Sequence, residues 1–394
     1  MQKSLRILVI VDLAWDARLG AVRVFMALAD AWRAAGHQVT KFCLGDAFPR
    51  PAQSRVVAAL RQLLFRRKAA AFVRQHANDF DVIDSLLGTL PLPKNRLRFN
   101  GVLVARSVGL YRLYRKFDRF AAERWPNQSR GKLLGRIFYT FLNQRLFRAS
   151  EDAVRHCDLL NLPNETEIDS VREEIGSSKP AIVFPYGLTA EQRRALREAA
   201  ASPQVRHARR KVAFIGMWSL RKGAKDFGRI IRCVCESIPD ARFIFLGTLV
   251  EDRQVLSDLA LPKTDSIELV LQYHREELPE LLTEVTVGAF PSYAEGFGLA
   301  VLEQLAAGVL TVTYDAPGPR AILRAQFPEL LVPIGDTDAF ASALIRILTC
   351  DITEYERLRA RSFAAAERFD WEEIAARTIA TYQAQLNHLR REHG

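Results

Sequence analysis

"VTVGAFPSYAEGFGLAVLEQLAAG", residues 285–308, changes its hydrophobic rhythm part-way along. Its opening, VTVGAFPS, is a short apolar run of the kind that fills a buried strand. From Leu299 the apolar spacing becomes helical, and Gly308 closes the pattern. YAEGFG lies between the two. A buried strand passing through a glycine turn into a helix is the building unit of a parallel α/β sheet. In such sheets ligands gather at the C-terminal ends of the strands. Gly296 and Gly298 allow a tight turn and a close approach of backbone to a ligand. A helix that starts there presents N–H groups without intrahelical partners and the positive end of its dipole, a natural seat for a phosphate.

Two carboxylates bracket that seat, Glu295 in the turn and Glu303 about one turn into the helix. A carboxylate repels a phosphate but accepts hydrogen bonds from hydroxyls. Two such acids around one phosphate seat suit a ligand of the form sugar–diphosphate–ribose. An acid at a helix start and an acid on a helix face give the same spacing without any ligand, so the pair alone does not decide between them.

The pattern extends outward in both directions. RILVIVD (6–12), HQVTKFCL (37–44), DFDVIDSL (79–86), GVLVARSV (101–108), DLLNLP (158–163) and AIVFPYG (181–187) read as strands. GAVRVFMALADAWRAAG (20–36) and the basic segments 54–75 and 111–148 read as helices between them. AASPQVRHARR (200–210) lacks apolar periodicity and reads as a linker. The alternation then restarts with KVAFIG (211–216), ARFIFLG (241–247), SIELVLQY (266–273), VTVGAFPS and LTVTYD (310–315). Two successive α/β halves follow from pattern alone, and 394 residues suit two cores better than one.

Composition narrows the class. The apolar and charged fractions are those of a globular chain, and no apolar run approaches a membrane span. The N-terminal apolar run is short, ends at Asp12 and has no small-residue cleavage site, so it reads as a first strand rather than a signal peptide. Five scattered cysteines without a C-x-x-C pair suit reduced thiols in a cytoplasm. Charge is uneven. Residues 1–200 carry a balance of +14 and residues 201–394 one of −3. The excess sits in segments 54–75 and 111–148, where Arg and Lys interleave with Leu, Phe, Tyr and Ala. Such segments suit a solvated basic face, an acidic acceptor or an anionic membrane surface.

With these pieces in place, the chain resembles the retaining glycosyltransferases of family 4. EGFGLAVLEQLAAG resembles their E-x7-E motif, and FIGMWSLRKGAKDF their G-R-x-x-x-x-K-G segment. LQYHREELPELLTEVTVGAFPS, YDAPGPRAIL and FDWEEIAARTIATYQAQL (369–386) are similar to flanking segments in the family's order. In the first half the likeness is thinner: GAVRVFMALADAWRAAGHQVT, VARSVGL and VFPYGL. The resemblance implies the GT-B fold, two Rossmann-like domains facing across a cleft. An acceptor-binding domain would span 1–205 and a donor-binding domain 206–370. A C-terminal helix, 371–394, would pack back on the first domain.

The resemblance also implies roles. Glu303 would hold the ribose hydroxyls and Glu295 the hydroxyls of the donor sugar. Lys222 would neutralise the donor diphosphate as a mobile point charge. Backbone at Gly296, Gly298 and Leu299 would add to that, Gly20 would approach the diphosphate from the first domain, and Tyr273 would lie near the base. The implied reaction moves a sugar from a nucleotide-diphosphate sugar to an acceptor hydroxyl with retention, in cell-surface glycan, lipopolysaccharide or exopolysaccharide assembly. It needs neither metal nor cofactor beyond the nucleotide sugar. Its partners would be that donor, a glycan, lipid-linked or phosphorylated acceptor, and an anionic membrane surface on the cytoplasmic face. Nucleic acid is not among them.

Three positions depart from the family pattern. Met217 stands where an arginine is usual, removing a bidentate phosphate donor. Arg221 is a candidate replacement, although neighbours such as Arg221 and Lys222 are expected to point apart. Val108 stands where R-S-H-G would place a histidine, which leaves Arg106 as the candidate to serve near the reacting carbon. Leu310 replaces a proline and reads as neutral. These departures keep open an alternative, a catalytically impaired GT-B protein that binds a nucleotide sugar or glycan. D-x-D pairs at 79–81 and 336–338 read as strand-flanking and helix-starting acids rather than metal ligands. Dispersed histidines and the lack of G-x-G-x-x-G argue against a zinc site and a nicotinamide enzyme.

Overall fold

The computed structural model describes residues 4–17, 19–126, 133–262 and 264–393. The chain divides into two compact units. One comprises Met1–Lys116, Ala122–Tyr186 and Trp371–Gly394, and the other Phe117–Ala121 and Gly187–Asp370.

The first unit holds a six-stranded sheet of order β2-β1-β3-β4-β5-β6. Its strands are β1 (Arg6–Ile10), β2 (Gln38–Phe42), β3 (Val82–Leu86), β4 (Val102–Arg106), β5 (Leu159–Leu162) and β6 (Ala181–Val183). All its pairs are parallel. The central strands β3, β4 and β5 are buried along almost their whole length, with Asp84, Ser85, Arg106 and Asn161 buried among their apolar residues, as in a sheet covered by helices on each side. The helix Trp371–His393 packs in this unit, with Tyr382 against Trp32 of the helix Gly20–Ala34 at 6.0 Å between ring centroids.

The second unit repeats the architecture in the order β12-β11-β10-β7-β8-β9, again all parallel. Its strands are β7 (Lys211–Ile215), β8 (Arg242–Leu246), β9 (Ile267–Val270), β10 (Val287–Phe290), β11 (Leu310–Tyr314) and β12 (Leu331–Val332). Strands β7, β8 and β9 progress to one side, and the chain then crosses to lay β10 on the other side of β7. That reversal between β7 and β10 is a topological switch point, where diverging connections leave a crevice at the C-terminal strand ends.

Two sequence expectations are corrected. The units part at Tyr186/Gly187, not at 205/206. The stretch 200–210 is no linker: Pro203–Arg209 is a helix, capped by Ser202 and opened by Pro203. It lacks apolar periodicity because the residue it buries is Arg206. That guanidinium donates to the carbonyls of Thr283 (2.8 Å), Leu282 (2.8 Å) and Ala307 (2.6 Å). Burial without a carboxylate partner pushes it down to about 10. Of the basic segment 111–148, residues 127–132 lie outside the described residues. Among the described residues no helix is long and apolar enough to cross a membrane.

Candidate functional site

Residues expected at the site converge at the β7–β10 switch point. After β7 the chain turns at Gly216, with φ +145°, and winds a single 3-10 turn over Leu220–Lys222. Gly223 follows with φ +80°. A Cβ there would lie 2.3 Å from the Pro291 carbonyl oxygen, so only glycine lets this loop sit against the end of β10. The Arg221 carbonyl accepts the Tyr293 N–H at 2.8 Å, which ties the two strand ends together.

Behind this loop, Trp218 packs among Phe214, Phe227 and Phe245. Its indole N–H donates to Asp258 at 3.0 Å, and Lys225 reaches the same carboxylate at 2.6 Å. Trp218 and Asp258 therefore hold the loop from its inner side. Sequence reading missed both. The K-G pair signalled the loop, but nothing near residue 258 marks its carboxylate as an anchor.

The Lys222 ammonium donates to Glu295 and lies 4.3 Å from the centroid of the Phe290 ring. Arg221 donates to the Ala294 carbonyl at 2.7 Å and approaches the same Glu295 oxygen at 3.4 Å. The expectation that Arg221 and Lys222 point apart is thus corrected: the tight turn wraps both side chains onto one carboxylate. Burial works to raise the Glu295 carboxyl, but Lys222 and Arg221 outweigh it and hold the group below its ordinary range. Burial lowers the Lys222 ammonium despite Glu295, and the like charge of Arg221 adds to the effect.

On the far side of the turn, Gly298 takes φ +96° and opens the helix Leu299–Ala306. The segment 295–297 is clamped by the helix Pro317–Leu323, whose Gly318 N–H donates to the Glu295 carbonyl at 3.0 Å. A Cβ on Gly318 would lie 2.5 Å from the Phe297 carbonyl oxygen. Gly296 is buried in this turn and Leu299 is half-buried at the helix start. Glu303 follows within the same helix, with 3% of its surface exposed. Tyr273, beyond β9, lays its ring 3.1 Å from where a Gly247 Cβ would stand at the end of β8. Lys222, Arg221, Glu295, Gly298 and Tyr273 thus all follow C-terminal strand ends of one sheet. Met217 shares that edge and is half exposed.

In the first unit Gly20 is exposed at the start of its helix, and a Cβ there would meet nothing within 4 Å. Its glycine is not required by packing within that unit. Arg106 needs correction. It is 1% exposed and sits inside an ion pair, donating to Asp84 at 2.6 Å and to the Tyr382 hydroxyl at 3.0 Å. Burial opposes its charge, but Asp84 more than offsets this and holds the guanidinium above its ordinary value. Arg106 is therefore a core group fastening β4 to β3 and to the C-terminal helix, not a group available to a reacting carbon. Beside it, Ser107 donates to the fully buried Glu167 at 2.6 Å, and burial pushes that carboxyl up to about 7.

The D-x-D acids are occupied otherwise. Asp79 pairs with His76, Asp81 with Arg6 and Asp338 with Arg229, while Asp336 caps the helix Thr337–Thr349. All five cysteines are free thiols.

Residues 197–365 match the family model described as "Glycosyl transferases group 1". The phosphatidyl-myo-inositol mannosyltransferase of Mycobacterium leprae is 27% identical over 213 residues, 54% of this chain and 55% of that protein. A GDP-mannose:cellobiosyl-diphosphopolyprenol alpha-mannosyltransferase of Xanthomonas oryzae is 25% identical over 183 residues, 45% and 47% of the two chains. The chain spans about half the length of the curated relatives it matches. Among solved structures, the sucrose-phosphate synthase of Thermosynechococcus elongatus superposes with TM-score 0.73 at 19% identity, covering 96% of this chain and 98% of that one. The HepE protein of Anabaena, in complex with UDP-glucose, gives TM-score 0.64 at 17% identity, covering 96% and 100%. The fold is GT-B.

Proposed function

We propose that this chain is a retaining glycosyltransferase of family 4 that moves a sugar from a nucleotide-diphosphate sugar to an acceptor hydroxyl. The observation that carries the reading is the convergence of Lys222, Arg221 and Glu295 beside the start of the helix Leu299–Ala306, at the β7–β10 switch point. In this reading the diphosphate lies at the helix start, where backbone N–H groups at Gly298 and Leu299 and the two cations neutralise it. Arg221 supplies the charge that Met217 does not. The diphosphate draws Lys222 away from Glu295, and the freed carboxylate accepts hydroxyls of the donor sugar. Glu303 accepts the ribose hydroxyls, and Tyr273 faces the base.

Chemistry then needs positioning and charge more than a protein nucleophile. The bond between the anomeric carbon and the diphosphate oxygen breaks. The acceptor oxygen bonds to that carbon on the same face, and its proton passes to the departing diphosphate oxygen. The two cations stabilise the charge that develops there, so neither a metal nor a further cofactor is required. The names of two relatives, a phosphatidyl-myo-inositol mannosyltransferase and a cellobiosyl-diphosphopolyprenol mannosyltransferase, support a lipid-linked or phosphorylated acceptor; glycan assembly at the cytoplasmic membrane face is part of the proposal.

Exposed Met217 in place of an arginine favours one second reading, a protein that binds the donor with little turnover. A donor screen that follows both binding and released nucleotide diphosphate, with and without EDTA, separates the two. Turnover that survives EDTA supports the proposal. Binding without turnover selects the second reading, turnover restored only by magnesium or manganese removes the metal-free mechanism, and no donor binding removes both readings.

A further inference from the structure

We infer that Glu167 is a proton-operated latch on the turn that follows β4 and on Tyr186, the last residue of the first unit before Gly187. Ser107 is the centre of the network. Its hydroxyl donates to Glu167 at 2.6 Å and accepts the Gly109 N–H at 3.0 Å. Its carbonyl accepts the Tyr186 hydroxyl at 2.7 Å, and its N–H donates to the Asn161 carbonyl of β5 at 2.8 Å. Gly109 takes φ +139°, and a Cβ there would lie 2.1 Å from the Tyr114 hydroxyl oxygen, so the turn closes directly on Tyr114. Tyr186 in turn stacks on Trp371, where the chain returns to the first unit, with ring centroids 6.2 Å apart. The turn stands at the C-terminal end of β4, the edge at which parallel α/β sheets take their ligands.

Glu167, Ser107, Asn161, Asn164 and Tyr186 are all buried, and the Glu167 Oε1 has no hydrogen-bond partner. A carboxylate so enclosed carries its charge at a cost, because water no longer solvates it. The neutral acid suits the closed network, and the charged one suits any arrangement that admits water. Ser107, the Leu110 backbone and Asn164 favour the charge, yet burial outweighs them and holds the carboxyl at about 7. The ionisable groups around the cluster are Tyr186, Tyr114, Asp84 and Arg106. Burial keeps Tyr186 neutral, and Asp84 and Arg106 offset each other in their ion pair. Glu165 and Asp169, on the same helix as Glu167, are exposed. Glu167 is therefore the member of the cluster whose charge changes near neutrality. Opening the turn wets the carboxyl and returns it toward its ordinary 4.5. The open form thus gains as pH rises from about 5 to about 7 and gains nothing further above that. As it opens, Tyr186 loses its acceptor on Ser107.

Amide hydrogen exchange of the full chain from pH 5 to pH 8, corrected for the intrinsic pH dependence of exchange, tests the latch. In the parent, protection of segments 107–111 and 184–188 should fall by about tenfold or more between pH 5 and 7 and then level off. Strand β2, in the same unit but outside the network, should keep its protection over that range. Glu167→Gln keeps the shape and the acceptor for Ser107 but cannot ionise, so both segments should become independent of pH. Ser107→Ala removes a hydrogen bond that favours the charge, so the step should move to higher pH. Tyr186→Phe should keep the step in 107–111 and lose it in 184–188. Parent protection that does not change with pH overturns the inference, and this result needs no variant to fold. A step of equal size in β2 replaces the latch by loosening of the whole unit. A step kept by Glu167→Gln assigns the proton to another group.

Discussion

Glu303 and Glu167 are both buried acids, and each has a separate consequence. Glu303 lies inside the helix that starts at Gly298, and in the proposed complex it receives ribose hydroxyls. Replacing it with alanine should weaken nucleotide-sugar binding by about 10–100-fold, the loss of a hydrogen bond to a charged acceptor worth about 1.5–3 kcal/mol. Calorimetry with nucleoside diphosphates reads this directly, and unchanged affinity would remove the assigned role. Glu167 has no such ligand. Its folded carboxyl stands at about 7 against an ordinary 4.5, because burial penalises the charged form. The protein therefore binds an extra proton between those values, and stability falls as pH rises through that window, by roughly 3 kcal/mol in all. Glu167→Gln should flatten the melting temperature between pH 5 and 8, and a slope kept by the variant would assign the proton elsewhere.

At the scale of elements, the site is a matter of how closely two loops approach. Gly223 seats the Lys222 turn on Pro291 through a contact that admits no Cβ, at a backbone angle that disfavours one. Gly223→Ala should move that turn off the end of β10 and part Lys222 from Glu295. We expect donor affinity and turnover to fall at least tenfold with the second sheet still folded, because the strain lies in a loop. Retained activity would show that the convergence of Lys222 and Glu295 is not needed. The glycine itself was legible in sequence as part of K-G. The convergence of Arg221 with Lys222 was not, because residue spacing on a 3-10 turn says little about where long, flexible side chains end. The helix Pro203–Arg209 was missed for another reason. Its buried face is a guanidinium bound to carbonyls, so it carries no apolar period to detect.

At the scale of the whole molecule, the two units depend differently on the chain's last helix. Trp371, Ile374, Ile379, Tyr382 and Leu386 are all buried, and Tyr382 completes the Arg106–Asp84 pair. Removing Trp371–His393 would forfeit the burial of these five large side chains, about 1.5–3 kcal/mol each and together on the order of a domain's entire stability, and would uncover the surface they pack against. A chain ending at Asp370 should therefore lose the first unit to limited proteolysis while 187–370 resists. Equal protection of both units would contradict this dependence.

What the sequence by itself determined is what repeats locally: alternating strands and helices, two halves, the glycine turns, and the strand–turn–helix that carries Glu295 and Glu303. These are set by side-chain periodicity and by backbone angles that few residues other than glycine adopt. Tertiary structure alone decided which charged groups are spent inside the fold. Arg106 reads as an available cation at the end of β4, and only the packing of β3 and a helix almost three hundred residues later turns it into a buried ion pair. A charge is assigned to core or to site by what surrounds it in space, and residues distant along the chain supply those surroundings.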